Sequence, residues 1–213
     1  MSAGNRPFYY ENGELCCEAV PLRRIAARVG TPCYIYSASR ILARYREFDR
    51  ALGDYPHQIC YSLKANANLH LLRLLARHGA GFDIVSGGEL FRVIEAGGRA
   101  GRTVFSGVGK TAEEIDYALR SGVMLFNCES EGELRLLSEQ ASRRNMRARA
   151  GLRVNPQVDA KTHPYIATGL REHKFGIPMR QAEDLLWRFS EFVSGTFLPS
   201  PLTREGSIGS AGK

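Results

Sequence analysis

The sequence predicts an α/β protein built on a parallel sheet, and three observations predict it. From residue 58 onward, short apolar segments alternate with helices whose apolar positions follow a 3.6-residue period. Three helix starts carry a Ser/Thr-x-x-Glu signature: Ser86 with Glu89, Thr111 with Glu114, and Ser130 with Glu133. In that capping box the hydroxyl takes one orphan N–H and the glutamate reaches back for another. Gly79, Gly97 and Gly122 stand where helices must end in a left-handed residue. Regular alternation with short connections makes the strands parallel. A doubly wound sheet and a (β/α)8 barrel both satisfy the pattern.

Strands are expected at 58–62, 81–85, 103–106, 123–127 and 148–155, with helices between them at 69–77, 87–96, 112–120 and 131–144. The buried stripes are read as Leu71, Leu72 and Leu75, then Leu90, Val93 and Ile94, then Ile115, Ala118 and Leu119, then Leu134, Leu137 and Ala141. If 148–155 is the last strand of the sheet, it forms an open edge that exposes Leu152 and Val154.

The two ends differ from this middle. Asn12-Gly13 predicts a hairpin turn, Pro21 opens a helix that Gly30 stops, and residues 33–36 read as a strand. A further helix starts at Ser37, with Ile41, Leu42, Tyr45 and Phe48 as its apolar stripe. Residues 194–213 hold Gly, Pro, Ser and Thr without either period and read as a disordered tail. The expected division is therefore an N-terminal segment at 1–36, an α/β unit at 37–193 and the tail.

Composition excludes several classes. At 213 residues and 44% hydrophobic content the chain is long enough to bury a core. No apolar run reaches the roughly 20 residues of a membrane helix, and residues 1–7 are too polar for a signal peptide, so a cytoplasmic protein is expected. Five cysteines without a CxxC pair indicate reduced thiols and no metal site. The net charge of +7 is mostly arginine. Its densest cluster, Arg143, Arg144, Arg147 and Arg149, lacks interleaved aromatics and lies at a helix end, so no nucleic-acid partner is expected.

The segment around Lys64 holds the chemistry. Period two puts Ile59, Tyr61 and Leu63 on one face and Cys60, Ser62 and Lys64 on the other. Two small side chains leave room for a bound molecule, and the amine falls at the C-terminal end of a strand, where barrel enzymes carry their sites. A lysine there can condense with an aldehyde cofactor. A surface lysine at a strand end fits the same spacing.

Tyr-Ser-Leu-Lys-Ala-Asn at residues 61–66 resembles the lysine motif of the group IV pyridoxal-phosphate (PLP) decarboxylases, enzymes with an alanine-racemase-like barrel. The resemblance continues through Gly-Phe-Asp-Ile-Val-Ser-Gly-Gly-Glu-Leu at 81–90, Phe-Ser-Gly-Val-Gly-Lys-Thr at 105–111 and Phe-Asn-Cys-Glu-Ser at 126–130. The block at 152–169, Leu-Arg-Val-Asn-Pro-Gln-Val-Asp-Ala-Lys-Thr-His-Pro-Tyr-Ile-Ala-Thr-Gly, with Lys-Phe-Gly-Ile at 174–177, is typical of the diaminopimelate decarboxylases. Motifs in order run from about Pro7 to about Phe192.

The resemblance implies a PLP-binding (β/α)8 barrel and decarboxylation of meso-2,6-diaminopimelate to L-lysine in a homodimeric family. Lys64 matches the lysine that holds PLP covalently, Asp83 an active-site aspartate near it, and Arg153 an arginine near the cofactor's phenolic oxygen. Ser86 and His163 lie in matching motifs without an assigned role. The family's later segments are a histidine-bearing strand, a glycine-rich phosphate loop, a downstream glutamate and a C-terminal β domain. None has a counterpart here, and Gly107-Val-Gly109 is a poor substitute for the phosphate loop. The chain is therefore expected to be an N-terminal portion with about five of eight strands, inactive alone. A silent partner-binding protein and a non-functional gene fragment are the readings from other classes. Another decarboxylase or racemase of the same barrel group is the enzymatic alternative, and the block at 155–177 speaks against it.

Overall fold

The computed structural model describes residues 6–155 and 175–189, apart from the side chains of Glu183 and Leu186. The chain opens with an antiparallel sheet of β1 (Phe8–Glu11), β2 (Glu14–Cys17) and β3 (Val20–Pro21), followed by α1 (Leu22–Val29). Asn12 and Gly13 form the hairpin turn with φ of 49° and 77°, the doubly left-handed geometry for which Asn-Gly is suited. Residues 33–36 are not a strand: they pair with nothing among the described residues, and Tyr34 is exposed. Their composition favours extended backbone, but a strand also needs a neighbour to bond to.

Next comes α2 (Ala38–Leu52), capped by Ser37, whose side chain accepts the Arg40 N–H. Glu18 ties the N-terminal sheet to this helix by accepting the Ser37 hydroxyl at 2.7 Å and the Ser39 N–H at 2.8 Å. Those bonds, led by the Ser37 hydroxyl, hold the Glu18 carboxyl below its ordinary range.

Five parallel strands then pair in chain order: β4 (Cys60–Ser62), β5 (Gly81–Ile84), β6 (Thr103–Phe105), β7 (Leu125–Cys128) and β8 (Ala150–Leu152). Between them run α3 (Leu69–Arg77), α4 (Gly87–Glu95), α5 (Ala112–Ser121) and α6 (Glu131–Arg143). Parallel strands joined by helices cross over right-handedly, so the helices collect on one face. Each packs against the next, from α2 through α6. This is an arc of a (β/α)8 barrel, the architecture the sequence predicts.

Period two in the strands divides the faces. Phe82, Ile84, Phe105, Phe126 and Cys128 are buried toward the helices. There they meet Leu72, Leu75, Leu90, Val93, Ile115, Ala118, Leu119, Leu134, Leu137 and Ala141. Full burial of each large apolar side chain contributes about 1.5–3 kcal/mol. Ile94 departs from the predicted stripe and is exposed, one residue beyond the face that Leu90 and Val93 define.

The predicted strand at 148–155 is two strands. β8 pairs with β7, and β9 (Val154–Asn155) pairs in parallel with β10 (Ile177–Pro178), which leads into α7 (Met179–Phe189). Arg153 is the point of exchange: its N–H donates to Cys128 O at 2.9 Å, and its carbonyl accepts the Ile177 N–H at 2.7 Å. Among the described residues β8 remains the terminal strand of the five-stranded sheet, as expected, but Leu152 and Val154 are half-buried against the core rather than exposed. Residues 194–213 lie outside the described residues. No described helix is long and apolar enough to cross a membrane.

Candidate active site

The helices leave the C-terminal ends of the strands and the opposite sheet face free, and the polar residues collect there. Register places Ser62 beside Asp83 and Asn127 beside Gly151. All sit on the face opposite the buried phenylalanines, as strand alternation requires.

Lys64 follows the end of β4 by two residues, in the turn to α3. Leu63 before it is buried, and its N–H donates to the Asp83 carbonyl at 3.1 Å. The turn that carries Lys64 therefore hangs from the backbone of Asp83. Sequence alternation places the Lys64 amine on the inward strand face, opposite Leu63, and the burial of Leu63 in the core agrees with that alternation. The strand has ended, and the Lys64 side chain is exposed, without a hydrogen bond or ion pair among the described residues. The Tyr61 hydroxyl donates to the Asn66 carbonyl at 3.1 Å and closes the same turn.

Asp83 is half-buried, and its Oδ1 accepts the Ser106 hydroxyl at 2.7 Å. Ser106 Oγ in turn accepts from Asn127 Nδ2 at 3.1 Å. Cys60 lies on this face too. Burial first, then the Asp83 carboxylate, raise its thiol above the ordinary value, against the activation a nucleophilic cysteine needs.

Arg153 stands at the far end of the arc, half-exposed. Its Nη1 donates to both carboxylate oxygens of Glu129, at 2.9 and 3.1 Å, and its guanidinium lies 5.6 Å from the Phe175 ring centre. Glu129 itself is buried, so the pair aims one cation at the rim from a fixed base.

Beneath the rim, Lys110 is buried. Its Nζ donates to Gly107 O at 2.8 Å, to Asn127 O at 2.7 Å and to the Glu133 carboxylate. Glu133 also accepts the Glu129 N–H at 2.8 Å. This explains a departure from the expected capping boxes. All three hydroxyl halves form, and only Thr111 with Glu114 completes the return bond. Glu89 and Glu133 reach one residue further back, to Val85 and Glu129, so each pins the strand end that leads into its helix. Burial, then Glu133, push the nearby Cys128 thiol up to about 12.

Of the predicted site residues, Asp83 and Lys64 are thus joined through the strand ends, and Arg153 lies two strands beyond Asn127's neighbour Ser106, on the same rim. Ser86 is occupied as the cap of α4, and His163 lies outside the described residues. Ser106, Asn127, Glu129 and Lys110 were missed as site residues. The readable signal was a polar residue at the C-terminal end of each successive strand. No group of three or more metal-ligating side chains forms among the described residues.

The arc defines a class of α/β barrel proteins, and its C-terminal rim carries a carboxylate, an arginine and a lysine without a partner among the described residues. The chain belongs to the family "pyridoxal-dependent decarboxylase, pyridoxal binding domain", whose pattern matches residues 38–192. Pyridoxal phosphate is the cofactor of that family. The sequence is 55% identical over 185 residues to a diaminopimelate decarboxylase of Pseudomonas fluorescens, covering 86% of this chain and 44% of that one. It is 53% identical over 174 residues to a Vibrio cholerae diaminopimelate decarboxylase, covering 82% and 42%.

Among solved structures, the diaminopimelate decarboxylase of M. jannaschii in complex with L-lysine matches with a TM-score of 0.79 at 33% identity, covering 91% of this chain and 46% of that one. The Helicobacter pylori diaminopimelate decarboxylase, also with L-lysine, matches with a TM-score of 0.75 at 39% identity, covering 82% and 44%. The chain spans a little under half the length of the relatives it matches.

Proposed function

We propose that this chain carries the PLP-binding lysine of a diaminopimelate decarboxylase, which removes a carboxylate from meso-2,6-diaminopimelate to give L-lysine. The observation that carries the reading is the state of Lys64: an exposed amine without a described partner, at the C-terminal rim beside Ser62 and Asp83. The names of the relatives supply the substrate, and the L-lysine complexes of two solved structures agree with it as product.

The residues present fit the aldehyde and the phenolic oxygen of the cofactor. PLP, when bound, supplies an aldehyde and an electron-withdrawing ring that stabilises a developing carbanion. Lys64 Nζ is the nucleophile toward that aldehyde, because the other described lysine, Lys110, has given all three protons to acceptors. Asp83 holds Oδ1 on Ser106 and keeps Oδ2 without a described partner, able to take a proton at the rim. Arg153 offers a fixed cation to an anionic oxygen, with its Nη1 committed to Glu129. Residence in the cytoplasm is part of the proposal, supported by five free thiols.

The test is chemical trapping. The protein is incubated with PLP, reduced with borohydride and digested for peptide mapping. Label concentrated on the peptide bearing Lys64, and lost in Lys64→Ala, is the expected result. Equal label on Lys110, Lys161 and Lys174 would overturn the assignment.

A further inference from the structure

We infer that Ser106 and Asn127 are positioning residues that orient the Asp83 carboxylate for PLP capture at Lys64, a role that rests on the function proposed above. Three adjacent strands each contribute one member from their C-terminal ends: Asp83 from β5, Ser106 just past β6, and Asn127 from β7. The bonds have one direction. Asn127 Nδ2 can only donate, so Ser106 Oγ accepts at 3.1 Å and turns its own proton to Asp83 Oδ1 at 2.7 Å. A serine hydroxyl alone is a free rotor, and the amide removes that freedom.

The amide is held in turn. Asn127 O accepts from the buried Lys110 Nζ at 2.7 Å, which fixes its backbone. Its register partner on β8 is Gly151, and a Cβ there would come within 3.2 Å of Asn127 Oδ1. That approach is tighter than an ordinary contact, so Gly151 leaves the room in which the amide keeps its orientation. Ser106 is fixed as well, its N–H donating to Ile84 O at 2.7 Å.

Asp83 is therefore held by one oxygen from the side of β6, and the other remains for chemistry. Because Leu63 N–H is bonded to the Asp83 carbonyl, the same residue anchors the turn that presents Lys64. Loss of the relay frees the carboxylate to rotate, or to pair with the lysine whose amine the reaction needs.

The experiment titrates PLP against borohydride trapping at Lys64, read by peptide mass, with far-UV circular dichroism and thermal unfolding run in parallel. In Ser106→Ala and the near-isosteric Asn127→Asp, the PLP concentration for half-labelling should rise about tenfold, the equivalent of one lost hydrogen bond to a charged group. Ser106→Thr, which keeps the hydroxyl, should stay near wild type. Adding Ser106→Ala to Asp83→Ala should change nothing further, since the serine acts through the carboxylate. Wild-type trapping unchanged in Ser106→Ala and Asn127→Asp would overturn the inference, as would full additivity with Asp83→Ala. A loss of thermal stability without a change in trapping would overturn it too and leave the relay a purely structural feature. Failure of the wild-type protein to label Lys64 would instead overturn the proposed function, and is distinguishable because it needs no variant.

Discussion

Lys64 and Lys110 both follow the end of a parallel strand, and the fold treats them in opposite ways. Lys110 is buried under the rim, its ammonium satisfied by two carbonyls and the Glu133 carboxylate and lying 5.4 Å from the centre of the Phe105 ring. Lys64 is exposed and unpartnered among the described residues. Burying an ammonium is costly unless every donor finds an acceptor, and one that does so has no proton or lone pair to offer. A reactive amine must be held by its backbone instead, as the Leu63 bond to Asp83 holds Lys64. Residue type alone does not separate structure from chemistry here; the acceptors around the nitrogen do.

The contrast can be broken most directly at Lys110. Lys110→Met leaves the Glu133 carboxylate buried without its cation and should cost about 3–5 kcal/mol, read as a lower urea midpoint at constant slope. A loss below about 1 kcal/mol would mean the pair is not buried in solution, since exposed pairs contribute that little. Thr111, the next residue, completes the one full capping box of the three expected. Thr111→Ala should cost about 1 kcal/mol, and a neutral result would show that α5 is held by packing alone.

At the other lysine the expected stability effect is small. Lys64→Ala should change unfolding free energy by no more than about 0.5 kcal/mol, as for surface positions generally. The same variant should lose trapping with PLP. A destabilisation as large as that of Lys110→Met would erase the distinction between the two.

The smallest effect lies at the start of the segment that leads into β4. His57 Nδ1 faces the Tyr55 carbonyl and Nε2 faces Asp49 Oδ1 at 3.0 Å on α2. The carbonyl first, and then the carboxylate, raise its pKa above the ordinary imidazole value. A raised folded-state value stabilises the fold fully below the ordinary value and loses that contribution as pH rises through the raised one. Unfolding midpoints should therefore decline slightly over that window in wild type and stay flat in His57→Gln. An upward slope in wild type would show that the pair is not formed.

Much of this was readable in the residues. The helix boundaries between 69 and 144 agree with the structure to within one residue, because hydroxyl caps and left-handed glycines act over three or four residues and need no partner elsewhere. The core faces of the four helices followed from period 3.6, with Ile94 as the exception. Asp83 and Arg153 came from family resemblance; without it, each fits an ordinary cap or ion pair.

The sequence by itself determined the order of strands and helices, the buried stripe of each helix and the position of the lysine at a strand end. All of these are consequences of short-range geometry, where the period of the chain decides which way a side chain points. Tertiary structure decided the rest. It left residues 33–36 without a strand partner among the described residues, and it split 148–155 at Arg153 so that one run of chain serves both β7 and β10. It joined Asp83, Ser106 and Asn127, which are 21 to 23 residues apart from one bond to the next. It also gave Lys110 three acceptors from three different segments. Pairing and satisfaction of polar groups depend on which distant backbone lies alongside, and a local pattern contains no record of that neighbour.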